Sequence, residues 1–316
     1  MDQPPILSVR NLKTYFELDE GTVKAVDGVS FDVYPGQILG IVGESGCGKS
    51  VTIKSVLRIV EKPGRIVEGE IHFRRGEKAR ANTNTNGQMV DLVKLEANGK
   101  EMRSIRGAEI ALIPQEPMAA FSPVYTVGKQ RIDTYSWELS GGLRQRAMIA
   151  MALSCNPKML IADEPTTAID VTTQAQVLNL LRSLQQQHNT SIIFITHDLG
   201  VIAQMADYVV VMYLGRVVET GPVDDIYHNP QHPYTKALLK SIPSVQSETR
   251  TQLPTIEGSI PHPFNRPAGC PFYPRCIEFM VGVCDQRLPS LQPVSEKQSA
   301  SCFLYHDVAE EMEAAA

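Results

Sequence analysis

Short apolar runs alternate with stretches in which apolar residues return at helical spacing, and this alternation organises most of the chain. Gln37-Ile38-Leu39-Gly40-Ile41-Val42 predicts a buried strand ending at a glycine-rich turn, and Ser50 to Val60 predicts a helix after it. Further strands are predicted at Ile110-Ala111-Leu112-Ile113, Met159-Leu160-Ile161-Ala162, Ser191-Ile192-Ile193-Phe194-Ile195-Thr196 and Val209-Val210-Val211-Met212. Val171 to Gln187 predicts an amphipathic helix, with Val177, Leu180, Leu181 and Leu184 on one face. Strands alternating with helices imply an α/β fold with a mostly parallel sheet covered on both faces. Ligands in such sheets collect beyond the carboxyl ends of the strands. The glycine-rich turn, Asp163-Glu164 and His197 all fall at such ends.

Two regions depart from the alternation. Residues 76 to 104 are polar and include Asn82-Thr83-Asn84-Thr85-Asn86-Gly87, which predicts a surface excursion with a hairpin tip. From Ile242 the chain turns polar and proline-rich, which predicts an extension wrapped on the main domain. The expected division is 1–245 for the main domain and 246–316 for the extension. Glu310 to Ala316 is expected to be a frayed or disordered end.

Composition adds exclusions. A net charge of -5 supplies no basic surface for nucleic acid. No apolar run approaches bilayer length. Met1-Asp2-Gln3-Pro4-Pro5 lacks the basic and apolar regions of a signal peptide, so a cytoplasmic chain is expected.

The chemistry sits in three motifs. Gly43-Glu44-Ser45-Gly46-Cys47-Gly48-Lys49-Ser50 matches the phosphate-binding loop pattern, between a strand and a helix as that pattern requires. Its glycines let backbone N–H groups turn inward as an anion nest, and the helix adds its positive end. Lys49 supplies a point charge for the terminal phosphates and the Ser50 hydroxyl a ligand for Mg2+. Cys47 reads as a small filler. In Met159-Leu160-Ile161-Ala162-Asp163-Glu164-Pro165, the first carboxylate suits Mg2+ and the second an attacking water. Standing alone, an Asp-Glu turn is more often simply solvated, and the phosphate loop is what gives it weight. The third motif, Leu139-Ser140-Gly141-Gly142-Leu143-Arg144-Gln145-Arg146, opens a helix with a hydroxyl and free N–H groups. Gln115 and His197 follow strands whose ends face the same cleft.

Together these motifs resemble the nucleotide-binding subunits of ABC transporters. The resemblance implies a P-loop NTPase core with an N-terminal antiparallel β portion, and ATP and Mg2+ as the species bound. It implies nucleotide contacts from Gly43, Glu44, Ser45, Gly46, Cys47, Gly48, Lys49, Ser50 and Val51, and Mg2+ held by Ser50, Gln115 and Asp163. Glu164 matches the catalytic glutamate, Gln115 the Q-loop glutamine and His197 the switch histidine. Ser140, Gly141 and Gly142 match the signature that contacts the γ-phosphate held by an opposite subunit. Ala168-Ile169-Asp170 stands at the D-loop. The adenine-stacking aromatic is Tyr15 or Phe16, with Phe16 favoured. Val23 to Phe31 and Asn229 to Leu239 are similar to the oligopeptide and dipeptide importer branch, some members of which serve nickel or sugar importers. The implied partners are a second ATPase subunit, two membrane permease subunits and an extracytoplasmic substrate-binding protein. The implied location is peripheral, at the cytoplasmic face of the inner membrane.

Cys270-x5-Cys276-x7-Cys284-x17-Cys302 places four thiols in a polar stretch. Four thiolates suit tetrahedral Zn2+ or a [4Fe–4S] cluster, and four unlinked thiols are the plain alternative. The spacing lacks paired Cys-x2-Cys knuckles and resembles the C-terminal iron–sulfur motif of dipeptide-importer ATPases. Only 24 residues, 116–139, separate Gln115 from Ser140, where the family carries a subdomain of several helices. The join near Gln130-Arg131 reads as an internal deletion. A truncated helical subdomain raises a second expectation, an ATP-binding chain that is uncoupled or regulatory.

Overall fold

The computed structural model describes residues 3–76, 87–116, 140–167, 169–242 and 256–305. The hairpin tip, the segment read as a truncated helical subdomain, Ala168, the 245/246 boundary and the C-terminal end therefore lie outside the described residues.

Long alternating strands β1 (Leu7–Leu18), β2 (Gly21–Val33) and β4 (Gly64–Arg74), with the short β5 (Met89–Asp91), form an antiparallel sheet in the order β2-β1-β4-β5. This is the expected N-terminal antiparallel portion. The second sheet has eight strands. Its parallel part joins β9 (Tyr208–Tyr213), β3 (Ile38–Val42), β8 (Ser191–Ile195), β7 (Met159–Asp163) and β6 (Ile110–Ile113), in that order. Every residue of β3, β7 and β8 is buried, as continuous apolar runs covered on both faces require.

Helix α1 (Lys49–Val56) lies between the sheets. Ile53 and Val56 pack with Leu7, Val9 and Leu12 on one side and with Leu39, Ile41 and Ile161 on the other. Helices α3 (Gly141–Leu153), α4 (Val171–His188) and α5 (Leu199–Met205) cover the opposite face through Met148, Leu178 and Ile202. Asp170 caps α4 by accepting the Thr173 N–H at 2.9 Å, and Asp198 caps α5 through the Val201 N–H.

The structure differs from the sequence expectation in two places. The helix after the glycine loop ends at Val56, not Val60, because Arg58 takes a left-handed conformation with φ 56°. The second half of 76–104 is packed rather than a surface excursion. Helix α2 (Lys100–Ile105) buries Met102 and Ile105 completely, and Leu92 joins them in the core.

The described C-terminal residues 256–305 pack on the cassette. β11 (Gln292–Pro293) and β12 (Ser299–Ala300) add onto β10 (Arg216–Pro222) at the edge of the large sheet. They follow helices α6 (Val223–His228) and α7 (Pro233–Lys240).

Candidate functional site

β3 delivers the chain into a turn where glycine has no substitute. A Cβ at Gly43 (φ 152°) would lie 2.2 Å from the Met212 carbonyl oxygen, and one at Gly48 (φ 99°) 2.2 Å from that of Ala25. Lys49 is buried beneath this turn, and its ammonium donates to the carbonyls of Gly43 at 2.8 Å and Glu44 at 3.1 Å. Cys47 is buried beside it. Burial pushes the Cys47 thiol up, against the pull of Lys49, so it stays neutral as a filler.

Ser50, in the first turn of α1, donates its hydroxyl to Asp163 Oδ1 at 3.1 Å. Burial pushes the Asp163 carboxyl up, the Ser50 hydrogen bond opposes this, and the neighbouring Glu164 charge adds to it. A hydroxyl and a carboxylate oxygen beside a buried ammonium are hard oxygen donors, so these residues fit Mg2+.

Glu164 leaves β7 in a left-handed conformation with φ 47°, fixed by its N–H donating to the Ile195 carbonyl at 2.9 Å. Its carboxylate is held from three directions. Gln115 Nε2 donates to Oε2 at 3.1 Å and Thr167 Oγ1 donates to the same oxygen at 3.0 Å. His197 Nδ1 stands 3.3 Å from Oε1. The strand ends of β6, β7 and β8 thus bring Gln115, Asp163, Glu164 and His197 into one cluster. The Gln115 amide is turned toward Glu164.

Ser140 caps α3 with extended backbone (φ -62°, ψ 155°), and its hydroxyl makes no capping bond. Ser140 and Gly141 are exposed, and Gly142 sits against Thr173. Among the described residues no hydrogen bond or ion pair joins Ser140–Gly142 to the phosphate loop of the same chain. Tyr15 is committed elsewhere: its hydroxyl donates to Asp27 Oδ1 at 2.7 Å and the Lys24 ammonium lies over its ring. Phe16 is half-buried against Val60 and Gly64.

Cys270, Cys276, Cys284 and Cys302 line one small cavity, with His232 and Phe272 in its wall. Burial pushes the Cys270 thiol up to about 12 and the Cys302 thiol up to about 11. Neighbouring thiols push both in the same direction. Four desolvated thiols at one cavity suit a thiolate-ligated group in chemistry. Among the described residues, however, no three Cys, His, Asp or Glu side chains are drawn close enough to hold one ion.

Sequence reasoning missed Thr167, although the pair Thr166-Thr167 directly follows the carboxylate motif. It also missed Tyr234 and Arg275, which reach the phosphate loop from the C-terminal part. Tyr234 Oη accepts the Glu44 N–H at 2.9 Å, and Arg275 pairs with the Glu44 carboxylate.

Comparisons with known proteins agree with this geometry. Residues 26–167 match the family model for ABC transporters. Residues 218–284 match the model for the oligopeptide/dipeptide transporter C-terminal region. The chain is 41% identical to a probable peptide ABC transporter ATP-binding protein of Sinorhizobium fredii, over 96% of each chain. It is 43% identical to the dipeptide transport ATP-binding protein DppD of Bacillus subtilis, again over 96% of each. With DppD of Escherichia coli the identity is 38% over 94% of this chain and 96% of the relative. The fold matches the dimeric ATP-binding cassette MJ0796 bound to ADP and phosphate, with a TM-score of 0.57 and 20% identity. That match spans 69% of this chain and 98% of the cassette.

Fold and cluster together define a P-loop ATPase of the ABC type. The chain belongs to the ABC transporter family of ATP-binding proteins, in its oligopeptide/dipeptide branch. The alignment with the Sinorhizobium relative extends over 338 positions, more than the whole 316-residue chain, so that relative carries internal residues this chain lacks. Among the described residues no helix is long and apolar enough to cross a membrane.

Proposed function

We propose that this chain hydrolyses ATP to drive import of oligo- or dipeptides through a membrane permease. The observation that carries the reading is the Glu164 carboxylate, held by Gln115, Thr167 and His197 next to the Ser50–Asp163 pair. Lys49 and the loop N–H groups bind the β- and γ-phosphates, and Phe16 stacks on the adenine. Ser50 and Asp163, with Gln115, would hold Mg2+, which would supply neutralisation of the charge on the phosphates. Glu164 orients a water and accepts its proton as the water oxygen attacks the γ-phosphorus. The bond to the bridging oxygen breaks, leaving ADP and inorganic phosphate. His197 holds Glu164 and faces the same γ-phosphate.

The Ser140–Gly142 turn opens α3 with Ser140 and Gly141 exposed. It is offered to the nucleotide on a second ATPase subunit, of a different sequence in this branch. The remaining partners are two permease subunits and an extracytoplasmic binding protein, with the chain peripheral at the cytoplasmic face of the membrane and nucleic acid playing no part. We further propose that the four thiols hold a [4Fe–4S] cluster, with Zn2+ as the alternative. Iron, sulfide and zinc analysis after anaerobic purification decides between them, and one zinc without iron selects the alternative. The extension from about residue 246 is the unit that carries them.

Relatives aligned along nearly the whole chain are named as transport proteins, which favours coupled import over an uncoupled or regulatory chain. The test is ATP-driven peptide uptake by vesicles holding this chain with its permease. Wild type should support uptake, and Lys49→Ala should lose nucleotide binding and uptake together. Hydrolysis without any association with a permease would instead establish the uncoupled reading.

A further inference from the structure

Within the phosphate loop, Glu44 is held through its carbonyl, its N–H and its carboxylate, the last by a residue of the C-terminal extension. Its carbonyl accepts from Lys49 at 3.1 Å, and its N–H donates to Tyr234 Oη at 2.9 Å. Its carboxylate receives both ends of the Arg275 guanidinium, Nη1 to Oε2 at 2.7 Å and Nη2 to Oε1 at 3.0 Å. This is the fork geometry that fixes direction as well as distance.

Arg275 is itself pinned. Its side chain is only 4% exposed, Nε donates to the Glu257 carbonyl at 3.2 Å, and Nη1 also reaches Tyr213 Oη at 3.3 Å. It ends a 3-10 turn, Tyr273–Arg275, that lies between Cys270 and Cys276. The turn is closed by Tyr273 N–H to Cys270 O at 3.1 Å and Cys276 N–H to Tyr273 O at 3.2 Å. Tyr213, Tyr234 and Phe272 pack their rings together at centroid distances of 4.7–5.3 Å and seat this turn against the loop.

We propose that Arg275 of the cysteine-bearing extension is a positioning residue for nucleotide binding, holding Glu44 so that the phosphate loop is preformed. The inference rests on the assignment of Gly43 to Ser50 as the nucleotide site. Two effects act in the same direction. A loop held in its binding shape pays no ordering cost when the phosphates arrive. The guanidinium also neutralises a carboxylate that would otherwise repel the incoming triphosphate. The extension thereby becomes part of the nucleotide site, and a disturbance of the turn between Cys270 and Cys276 reaches the loop through one side chain.

The experiment measures binding of a fluorescent ATP analogue and steady-state hydrolysis by full-length protein with Mg2+. The variants are Arg275→Ala, Arg275→Lys, Glu44→Gln and Arg275→Ala/Glu44→Gln. Arg275→Ala should weaken nucleotide binding about tenfold, roughly 1.4 kcal/mol. KM should rise in step while kcat at saturation stays within about threefold. Arg275→Lys should recover part of the affinity. The double variant should bind better than Arg275→Ala alone, because the unpaired carboxylate is gone. A lowered melting temperature with unchanged affinity and KM would mean that Arg275 only straps the extension down, and the proposal would fail. Additive effects of the two substitutions would also overturn it. Wild type that binds no nucleotide would remove the phosphate-loop assignment itself, and this inference with it.

Discussion

At the residue scale, Glu164 combines local strain with the role proposed for it in catalysis. A left-handed φ of 47° at a non-glycine costs on the order of 1 kcal/mol or more, and it persists because the Ile195 carbonyl and three side chains hold it. Thr167→Val removes one 3.0 Å donor with little change of volume. We predict a several-fold lower kcat with KM nearly unchanged, read from steady-state ATP hydrolysis. A rise in KM alone would assign Thr167 to ground-state binding. The gathering of Lys49, Ser50, Asp163 and Glu164 at one set of strand ends was legible in the sequence because each sits at a fixed spacing within a contiguous motif. Arg275 was not: its partner lies 231 residues away, and a lone arginine between two cysteines has no local pattern.

At the element scale, strands β3, β6, β7, β8 and β9 were legible because buried parallel strands are unbroken apolar runs. The β5–α2 region was not, since a three-residue strand and a six-residue helix are too short to show a period. Another element carries a pH dependence that its sequence concealed. His232 caps α7, its Nδ1 accepting the Tyr234 N–H at 3.0 Å. Burial pushes the imidazole down to about 3; a bond to the Ser301 carbonyl opposes this and the Lys236 charge adds to it. The unfolded histidine takes up its proton near pH 6.5 and the folded one only near 3. The group is therefore neutral in both states above about 6.5, and stability falls as pH drops through the window from 6.5 toward 3. Denaturant unfolding of His232→Gln over this range should show a shallower slope, by about one proton, or about 1.4 kcal/mol per pH unit. An unchanged slope would mean that His232 does not titrate as described.

At the scale of the whole molecule, the extension is built into the cassette rather than appended to it. Gln298 donates to the buried Glu219 at 2.8 Å where β12 joins β10. Arg266 donates to Asp27 Oδ2 at 2.8 Å beside Arg216, and also to the Lys24 and Leu214 carbonyls. The Arg266 contacts tie the antiparallel sheet, the turn after β9 and the extension at one point. Arg266→Leu should cost about 1–3 kcal/mol and lower the melting temperature by several degrees, since it strips charge-assisted bonds from a largely buried site. A shift below one degree would make the extension energetically independent of the antiparallel sheet. A change in composition near Ile242 predicts an extension, but the strand pairing of 292–300 could not be read in the sequence, because β11 and β12 are two residues each.

In the proposed function, one cleft binds ATP and Glu164 activates the water. The most direct measurement is the rate of phosphate release by Glu164→Gln at saturating ATP and Mg2+, with nucleotide binding measured on the same sample. The account predicts binding as tight as wild type and turnover reduced by at least about a hundredfold. Hydrolysis near the wild-type rate would contradict it.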